Sequence, residues 1–412
     1  MATKRKDLRG RALRDGECQR GDNKLYVYQY IDAIGVRRSI YASDLQTLRK
    51  KEDEIKRDQL DGINTYARER TSINVVFDRY ISLKKNLRPN TKQNYLYVYD
   101  HFVRETFGKR KIAEIRYSDI VAFYNYLLDE KNVSIGTLES VQGLLHPTFE
   151  MAVRDGIVRA NPTKGVIGDL KRTTGKTRKI RHALTPQQQE AFMNYIADHP
   201  VYCHWWPLFA VLLGTGTRIG ECLGLTWDDL DFENEMITIT HALVYHTNAS
   251  SSDSNLSITE PKTDAGVRKI PMLDVVKDAF EIEKEKQKRN QLAEYEIDGY
   301  SGFVFRNRFG AVLTPPLINS TIRRIRENYN AEEEAKAKEE NREPVLIPHF
   351  SCHHLRHTFA TRLCESETNL KVIQSIMGHR NIETTMDVYA ECTEEKKVDS
   401  FGNLSKRMNK LF

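Results

Sequence analysis

One stretch decides the fold of this 412-residue chain: Ser351-Cys352-His353-His354-Leu355-Arg356-His357-Thr358. Residues three apart share one face of a helix, so His353 and Arg356 would point in the same direction. Another imidazole, His379, lies in Met377-Gly378-His379-Arg380, and Tyr389 follows Arg356 after 33 positions. A phosphate-binding arginine, hydrogen-bonding imidazoles and a phenol are the groups that phosphoryl transfer to a tyrosine requires.

A second arginine comes from upstream, in Gly214-Thr215-Gly216-Thr217-Arg218-Ile219-Gly220-Glu221. We predict that Arg218 follows a glycine-rich turn and begins a helix whose N-terminal amides also favour an anion. Taken alone, Arg218 is more simply a surface arginine paired with Glu221, but the second motif favours a phosphate clamp. The glycine spacing does not fit a nucleotide-binding fingerprint.

These residue types define a transesterification. Arginine binds two phosphate oxygens with its planar fork and stays charged at any relevant pH. A tyrosine that displaces an alcohol oxygen from a phosphodiester keeps the bond as a phosphotyrosyl ester, so no ATP is needed. His353 or His379 would accept the tyrosine proton. His354 is rotated by about 100° from His353 and is assigned to packing, and His357 to a supporting position.

A lysine that protonates the leaving oxygen is expected in Glu260-Pro261-Lys262-Thr263-Asp264-Ala265-Gly266-Val267-Arg268-Lys269-Ile270-Pro271, a strand–turn–strand pattern. Lys262 would lie at the tip of the hairpin, within reach of the phosphate. Lys269 is its rival, because strand alternation with Arg268 leaves its direction open. Without the other motifs, Lys262 would be read as an exposed turn lysine.

A zinc site is the alternative for the histidine motif, because His353 and His357 are four residues apart, as in zinc peptidases. Position 354 holds histidine where that motif has glutamate, and no third ligand is evident. We therefore predict neither a metal nor another cofactor.

Composition limits the class of protein. The net charge of +6 argues only weakly for a nucleic-acid partner, but residues 1–43 hold ten Lys or Arg against five Asp or Glu. The six cysteines form no C-x-x-C pair, which fits reduced thiols in a cytosolic protein. No apolar run approaches the roughly 20 residues of a membrane span. We expect a soluble, cytoplasmic protein.

The first predicted domain spans residues 1–65 and has an α+β pattern. Two strands around residues 25–31 and 36–42 precede a helix that begins at a capping box on Ser43 and runs to Leu60, with Gly62 ending it. The tyrosines of the first strand are expected to pack on this helix. Arg37 and Arg38 of the second strand are expected to contact DNA, as in other β-ribbon readers.

The second predicted domain, residues 72–165, reads as all-α, with Pro147 kinking or splitting its fourth helix. A basic linker is predicted over residues 166–183, where DNA binding and simple solvation are equally good interpretations. The DNA-contacting candidates of these two segments are Lys92, Lys171, Arg172, Lys176, Arg178 and Lys179. The third predicted domain, residues 184–412, mixes mainly helices with short strands and ends in a tail.

Together the four motifs, from Thr215–Glu221 to Gly378–Tyr389, resemble those of the tyrosine recombinases, or phage-type integrases, over roughly residues 72–400. The resemblance carries over the catalytic set Arg218, Lys262, His353, Arg356, His379 and the nucleophile Tyr389, with Glu221 supporting Arg218. The basic opening at Lys4–Arg11 and the tyrosine-rich strand further resemble integrases of conjugative transposons.

This resemblance implies a multidomain fold. A small α+β domain would bind arm-type DNA sites, while an all-α core-binding domain and a mixed, mainly-α catalytic domain would form a C-shaped clamp over core-type sites. It implies a homo-tetramer on two DNA duplexes that exchanges strands through a Holliday junction, with possible accessory excision and DNA-bending proteins. The tail would dock on a neighbouring protomer through the apolar residues Phe401, Leu404, Met408, Leu411 and Phe412.

The resulting hypothesis is an integrase that cuts and rejoins DNA to integrate and excise a mobile element, most simply a conjugative transposon. Two alternatives are a recombinase that resolves chromosome or plasmid dimers, and a non-catalytic DNA-binding protein on the same scaffold.

Overall fold

The computed structural model describes residues 5–21, 24–31, 35–60, 71–176, 182–246, 256–261, 264–290 and 295–390. The chain forms two compact units, Met1–Lys179 and Ile180–Phe412, which we treat separately. Over the stretches that are described, no helix is long and apolar enough to cross a membrane.

The first unit opens with a three-stranded antiparallel sheet of β1 (Glu17–Gln19), β2 (Tyr26–Ile31) and β3 (Arg37–Ala42), followed by helix α1 (Leu45–Leu60). Tyr26 and Tyr28 are buried in a small core with Leu45 and Leu48 of α1, and Tyr30 packs against its edge. The predicted packing of these tyrosines on the helix is therefore confirmed.

Two details of this region bear on its predictions. Arg38 pairs with Tyr30 on the helix-facing side of the sheet, whereas Arg37 pairs with Ile31 and is exposed on the opposite side. Successive strand residues alternate sides, so the two arginines lie on opposite faces of the sheet, and their contact with DNA stays a prediction. The side-chain cap of α1 is Asp44, which accepts a hydrogen bond from the amide of Thr47 at 2.8 Å, and not Ser43. Gly62 lies outside the described residues.

Helices dominate the rest of the first unit, as predicted. They are α2 (Ile73–Leu83), α3 (Pro89–Tyr99), α4 (Tyr117–Asp129) and α5 (Ile135–Arg154), and they enclose one apolar core. A π-helical turn, Asp100–Arg104, extends α3. Pro147 was predicted to kink or split this helix; α5 runs unbroken through it, so the split is wrong and the kink stays a prediction. Leu144, Leu145, Thr148 and Phe149 around the proline are all buried, so packing compensates for the missing backbone hydrogen bond.

The predicted linker is partly wrong. Residues Val166–Thr174 form a helix, α6, whose Val166 and Leu170 are buried in the core of the first unit. Gly165 and Gly175 flank it with φ of +80° and +63°, and the left-handed conformation at Gly175 ends the helix. The high density of glycine and lysine concealed an apolar pair four residues apart. The predicted domain limits otherwise stay predictions.

The second unit contains eight helices in its described part. The first six, of which the last carries His353 and Arg356, are α7 (Pro186–Asp198), α8 (Trp206–Thr215), α9 (Ile219–Gly224), α10 (Asp274–Asn290), α11 (Pro315–Glu340) and α12 (Cys352–Ser366). Helix α13 (Leu370–Met377) and a helix over residues 382–390, α14, complete the set. Helix α7 begins at a capping box formed by Thr185 and Gln188.

Short antiparallel strands lie between α9 and α10. One sheet has the order β4 (Leu230–Asp231), β5 (Met236–Ile239) and β8 (Arg268–Pro271), and a hairpin pairs β6 (Ala242–Tyr245) with β7 (Leu256–Thr259). The prediction that this domain mixes mainly helices with short strands is confirmed.

Helix α8 is the centre of the second unit, and nearly all its residues are buried. It packs closely on α10, because a Cβ on Gly214 would lie 2.4 Å from Cγ2 of Val276. This contact fixes the C-terminal end of α8, from which the Arg218 turn departs.

Candidate active site

The turn that carries Arg218 depends on Gly216. This glycine has φ of +60°, a left-handed conformation that residues with a side chain rarely adopt. A Cβ on it would also lie 2.2 Å from the Phe359 ring, so there is no space for a side chain. Arg218 then caps α9, as predicted. Its side chain is 44% exposed, with Nη1 donating to Oε1 of Glu221 at 2.6 Å and Nη2 donating to the Gly378 carbonyl oxygen at 3.3 Å.

Glu221 is the buried anion of the site. Its carboxylate accepts from the Arg218 amide at 3.0 Å and from Nη2 of Arg268 at 2.7 Å. Burial opposes its ionisation, but the hydrogen bond and charge of Arg268 and the charge of Arg218 outweigh burial and lower the pKa of Glu221 to about 2. The carboxylate is therefore ionised and ties Arg218 to strand β8.

Arg356 lies almost completely inside the protein. Its Nη1 donates to the Gly216 carbonyl oxygen at 2.6 Å and its Nη2 donates to the Met377 carbonyl oxygen at 2.5 Å. Burial, together with the charges of Arg218 and Arg268, lowers the pKa of Arg356 to about 9. The guanidinium still carries its charge at neutral pH, and an incoming anion would relieve the repulsion among these cations.

The C-terminal end of α13 brings the arginines together. Three consecutive carbonyl oxygens there, of Ile376, Met377 and Gly378, accept hydrogen bonds from Arg268, Arg356 and Arg218 respectively. The last carbonyls of a helix have no partner within the helix, and cations are favourable at its negative end. Each arginine arrives from a different element, so this helix end joins β8, α9 and α12 at one place.

The two predicted imidazoles differ in their surroundings. His353 is exposed on α12, one turn before Arg356. His379 is half-buried after α13, and its Nδ1 lies 3.0 Å from Oγ1 of Thr385. Burial, and then the charges of Arg356 and Arg218, lower the pKa of His379 to about 4, so this ring is neutral at physiological pH.

The other histidines of the motif have structural positions. His354 forms a capping box with Ser351 at the start of α12, in agreement with its assignment away from the phosphate. His357 is half-buried one turn later. Among the residues that the structure describes, no three His, Cys, Asp or Glu side chains come together as a metal site.

Tyr389 lies in α14 and is half-buried. It packs on the apolar cluster of Ala360, Cys364, Ile373 and Met377, which belongs to α12 and α13. These are the helices that carry Arg356 and the capped carbonyls. The predicted nucleophile is thus anchored on the helix that carries Arg356 and on the helix whose C-terminal end binds the three arginines.

Lys262 lies outside the described residues, so its role as proton donor stays a prediction. The predicted hairpin around it is wrong, because the strand before it, β7, pairs with β6 and the strand after it, β8, pairs with β5. Its rival Lys269 is exposed on β8, whereas Arg268 and Ile270 on either side of it are buried. The residue that the sequence analysis missed is Arg268. Strand alternation with the apolar Ile270 was the available signal that Arg268 faces inwards.

The candidate DNA-contacting lysines and arginines have varied surroundings. Lys92 is exposed on α3. Three members of the basic run have acidic partners. Nζ of Lys171 lies 2.5 Å from Oε1 of Glu139, and Nζ of Lys176 lies 3.3 Å from Oδ1 of Asp129. Arg172 pairs with Asp169. These pairs reduce the local positive charge that the sequence alone predicts. Arg178 and Lys179 lie outside the described residues.

Comparisons with known proteins give three matching sequence profiles. The sequence profile of the phage integrase family matches residues 182–396. That of the DNA-binding domain of Tn916 integrase matches residues 1–59, and that of the N-terminal SAM-like domain of phage integrases matches residues 76–154.

Relatives extend over the whole chain. The transposase from transposon Tn916 of Enterococcus faecalis is 32% identical over 427 residues, covering 100% of this chain and 98% of its own. The transposase from transposon Tn1545 of Streptococcus pneumoniae gives the same identity and coverage. The solved structure of the Tn1549 transposon integrase with circular intermediate DNA is 30% identical, with a TM-score of 0.68, and covers 77% of this chain and 95% of that one.

Proposed function

Since this chain belongs to the phage integrase family of tyrosine recombinases, we infer that its arginine cluster binds the scissile phosphate of DNA and that Tyr389 attacks it. The chain is a site-specific recombinase of the conjugative-transposon type, as its full-length similarity to the Tn916 and Tn1545 transposases indicates. The observation that carries the catalytic assignment is the convergence of Arg218 and Arg356 on neighbouring carbonyls of the turn that leads to His379.

In the forward step, the phenolic oxygen of Tyr389 forms a bond to phosphorus and the DNA 5′ oxygen leaves. The product is a 3′-phosphotyrosyl ester and a free 5′ hydroxyl. Arg218 and Arg356 neutralise the charge that develops on the non-bridging oxygens, with guanidinium groups held in advance by Glu221 and by backbone carbonyls. Lys262 gives the proton to the departing oxygen, and His353 or His379 takes the proton of the tyrosine.

In the reverse step, a 5′ hydroxyl from the partner duplex attacks the phosphotyrosyl ester and releases Tyr389. The number of phosphodiester bonds is unchanged, so the reaction needs neither ATP nor water. Strand exchange in pairs by a homo-tetramer would then proceed through a Holliday junction. Accessory excision and DNA-bending proteins would choose between integration and excision of the mobile element.

The DNA contacts are divided among the domains. The match of residues 1–59 to the Tn916 integrase DNA-binding domain supports arm-site binding by the N-terminal sheet. The Tn1549 integrase was solved with circular intermediate DNA, which supports core-site binding by the helical and catalytic domains, residues 72–165 and 184–412. The substrate is the DNA of the element and of its target in the cytoplasm of a bacterial cell.

The decisive experiment traps the covalent intermediate. The full chain is incubated with a nicked duplex that carries the ends of its own element, so that the cleaved fragment diffuses away. Wild-type protein should form a 3′-phosphotyrosyl adduct, whereas Tyr389→Phe should bind the duplex and trap none. A protein that binds DNA but never forms the adduct would instead be a non-catalytic binder.

Dimer resolution is the alternative within the same chemistry, because XerC-like recombinases are 24% identical to this chain. The profile match at residues 1–59 favours the transposon function. A cell assay for the circular excision product distinguishes them: an integrase produces the circle, and a dimer-resolving recombinase does not.

A further inference from the structure

Thr385 holds its hydroxyl against the imidazole of His379. Its side chain is fully buried, and Oγ1 lies 3.0 Å from Nδ1 of His379. The preceding residue, Thr384, is exposed on the same helix. The chain therefore offers two adjacent threonines of which one contacts the site.

The direction of this hydrogen bond decides where the imidazole carries its proton. A neutral imidazole has one N–H donor and one bare acceptor nitrogen, and a hydroxyl can serve either. Within the described parts of the chain, the Thr385 hydroxyl has no hydrogen-bond partner besides Nδ1. If Nδ1 carried the proton, the hydroxyl hydrogen would be buried without an acceptor, which is unfavourable. The hydroxyl is therefore the donor, and Nδ1 accepts.

We propose that Thr385 is a positioning residue that holds His379 as its Nε2–H tautomer, so that this N–H donates to the bound phosphate. The proposal rests on the phosphate site described under Proposed function. It separates the two histidines that the sequence left as alternatives. With Nε2 occupied by a proton, His379 cannot accept the proton of Tyr389, and this task falls to the exposed His353.

The charges of the site agree with a neutral donor. Arg356, Arg218 and Arg268 all act on His379 and disfavour its imidazolium form, and burial does so more strongly. A neutral N–H donates a hydrogen bond to a phosphate oxygen without adding another positive charge to this cluster. The pKa of about 4 keeps the ring neutral throughout the physiological range.

The first test compares single variants in the nicked-duplex assay. Thr385→Val keeps the shape of the side chain but removes the hydroxyl, and we expect it to form the covalent adduct about tenfold more slowly, while DNA binding is unchanged. Thr385→Ser should restore the rate, because it returns the hydroxyl. Thr384→Val is the matched control and should react like wild-type protein. Equal rates for Thr385→Val and wild type, or no restoration by serine, would overturn the proposal.

The second test asks whether Thr385 acts through His379. In His379→Gln, the amide nitrogen supplies an N–H that does not depend on a tautomer. Adding Thr385→Val to His379→Gln should cause no further loss, whereas a purely structural role would lower the rate in both backgrounds.

The third measurement reads the tautomer directly. The ¹⁵N shifts of histidine-labelled full-length protein distinguish Nδ1–H from Nε2–H, and His379→Gln identifies the signal. Wild type should show the Nε2–H form and Thr385→Val a mixture; an Nδ1–H signal in wild type refutes the proposal even if Thr385→Val proves unstable. If wild type forms the adduct and Tyr389→Phe does not, the recombinase assignment stands even when the tests of Thr385 overturn its positioning role.

Discussion

Arg268 and Glu221 form a buried ion pair, with 2.7 Å between Nη2 and Oε2 and both side chains less than a tenth exposed. Glu221 also binds Arg218, and Arg268 also binds the Ile376 carbonyl oxygen at 2.8 Å. The pair therefore links strand β8 to Arg218 and to the helix end before His379.

We expect Arg268→Lys to reduce the rate of cleavage by roughly tenfold to a hundredfold, or about 1.4 to 2.7 kcal/mol of transition-state stabilisation. A lysine keeps the charge but cannot reach Glu221 and the Ile376 carbonyl with one planar group. If Arg268 acts through Arg218, combining Arg268→Lys with Arg218→Lys should give less than the sum of the two losses. Single-turnover formation of the covalent adduct measures both.

The matched control for Arg268 is Arg362, which also joins a backbone carbonyl, of Leu184, to a carboxylate, of Glu365. Arg362→Lys should leave the rate of adduct formation near the wild-type value. Equal losses for Arg362→Lys and Arg268→Lys would mean that loosening of the fold explains both.

Arg356→Ala should lower the rate of cleavage by about 10²- to 10³-fold while DNA affinity changes little. In the proposed mechanism, Arg356 contacts one phosphate among the many that the protein covers, at the place where charge develops. Gel-shift titration measures the DNA affinity, and single-turnover cleavage of the same duplex measures the rate. Parallel losses in binding and cleavage would reduce Arg356 to an ordinary backbone contact.

Stability should fall in acid because of Glu221. Its pKa is lowered from 4.5 to about 2 in the folded state. The contribution of its carboxylate to the free energy of unfolding is therefore complete above the pKa of the unfolded chain and is lost as the pH falls through the pKa of the folded protein. A shift of this size corresponds to about 3 kcal/mol. Between about pH 5 and pH 2, the free energy of unfolding should decline less steeply in Glu221→Gln than in wild type. The exposed Glu339→Gln should follow wild type, and identical curves for Glu221→Gln and wild type would contradict the assignment.

Deleting residues 1–65 should abolish binding to arm-type sites and spare cleavage at core-type sites. The proposed catalytic set lies entirely beyond residue 217, and we propose that the N-terminal sheet binds the arm-type sites. Competition titrations with each type of duplex measure the affinities. The DNA affinity of the full chain should fall more steeply with salt than that of the deletion variant, because the full chain neutralises more phosphates. A deletion that loses core cleavage as well would place part of the core-site machinery in the N-terminal domain.

Sequence patterns predicted the elements of the site better than their connections. The Gly216 turn, the helix after Arg218 and the strand at residues 268–271 follow from local rules of backbone freedom and alternation. The capping of α13 by three arginines does not, because two of its three contacts join residues more than a hundred positions apart: Arg268 with Ile376, and Arg218 with Gly378. The Thr385 contact with His379 was also missed, since a threonine six residues from a histidine fits no local pattern.

Two failures have the same physical origin. The glycine- and lysine-rich segment before residue 176 was predicted to be a linker, and Pro147 was predicted to kink or split its helix, because both judgements used local propensity. In the folded chain Val166, Leu170 and Phe149 are buried in one apolar core, and that burial outweighs the local preferences.

The backbone carbonyls at the end of α13 have a consequence for the entropic cost and the selectivity of DNA binding. They immobilise one edge of each guanidinium before any ligand arrives, so little side-chain freedom is left to lose on association. A rigid receptor of this kind binds its anion with a small entropic penalty and discriminates strictly by shape. Selectivity for a tetrahedral, singly charged diester would then be a property of the resting protein and not of a rearrangement.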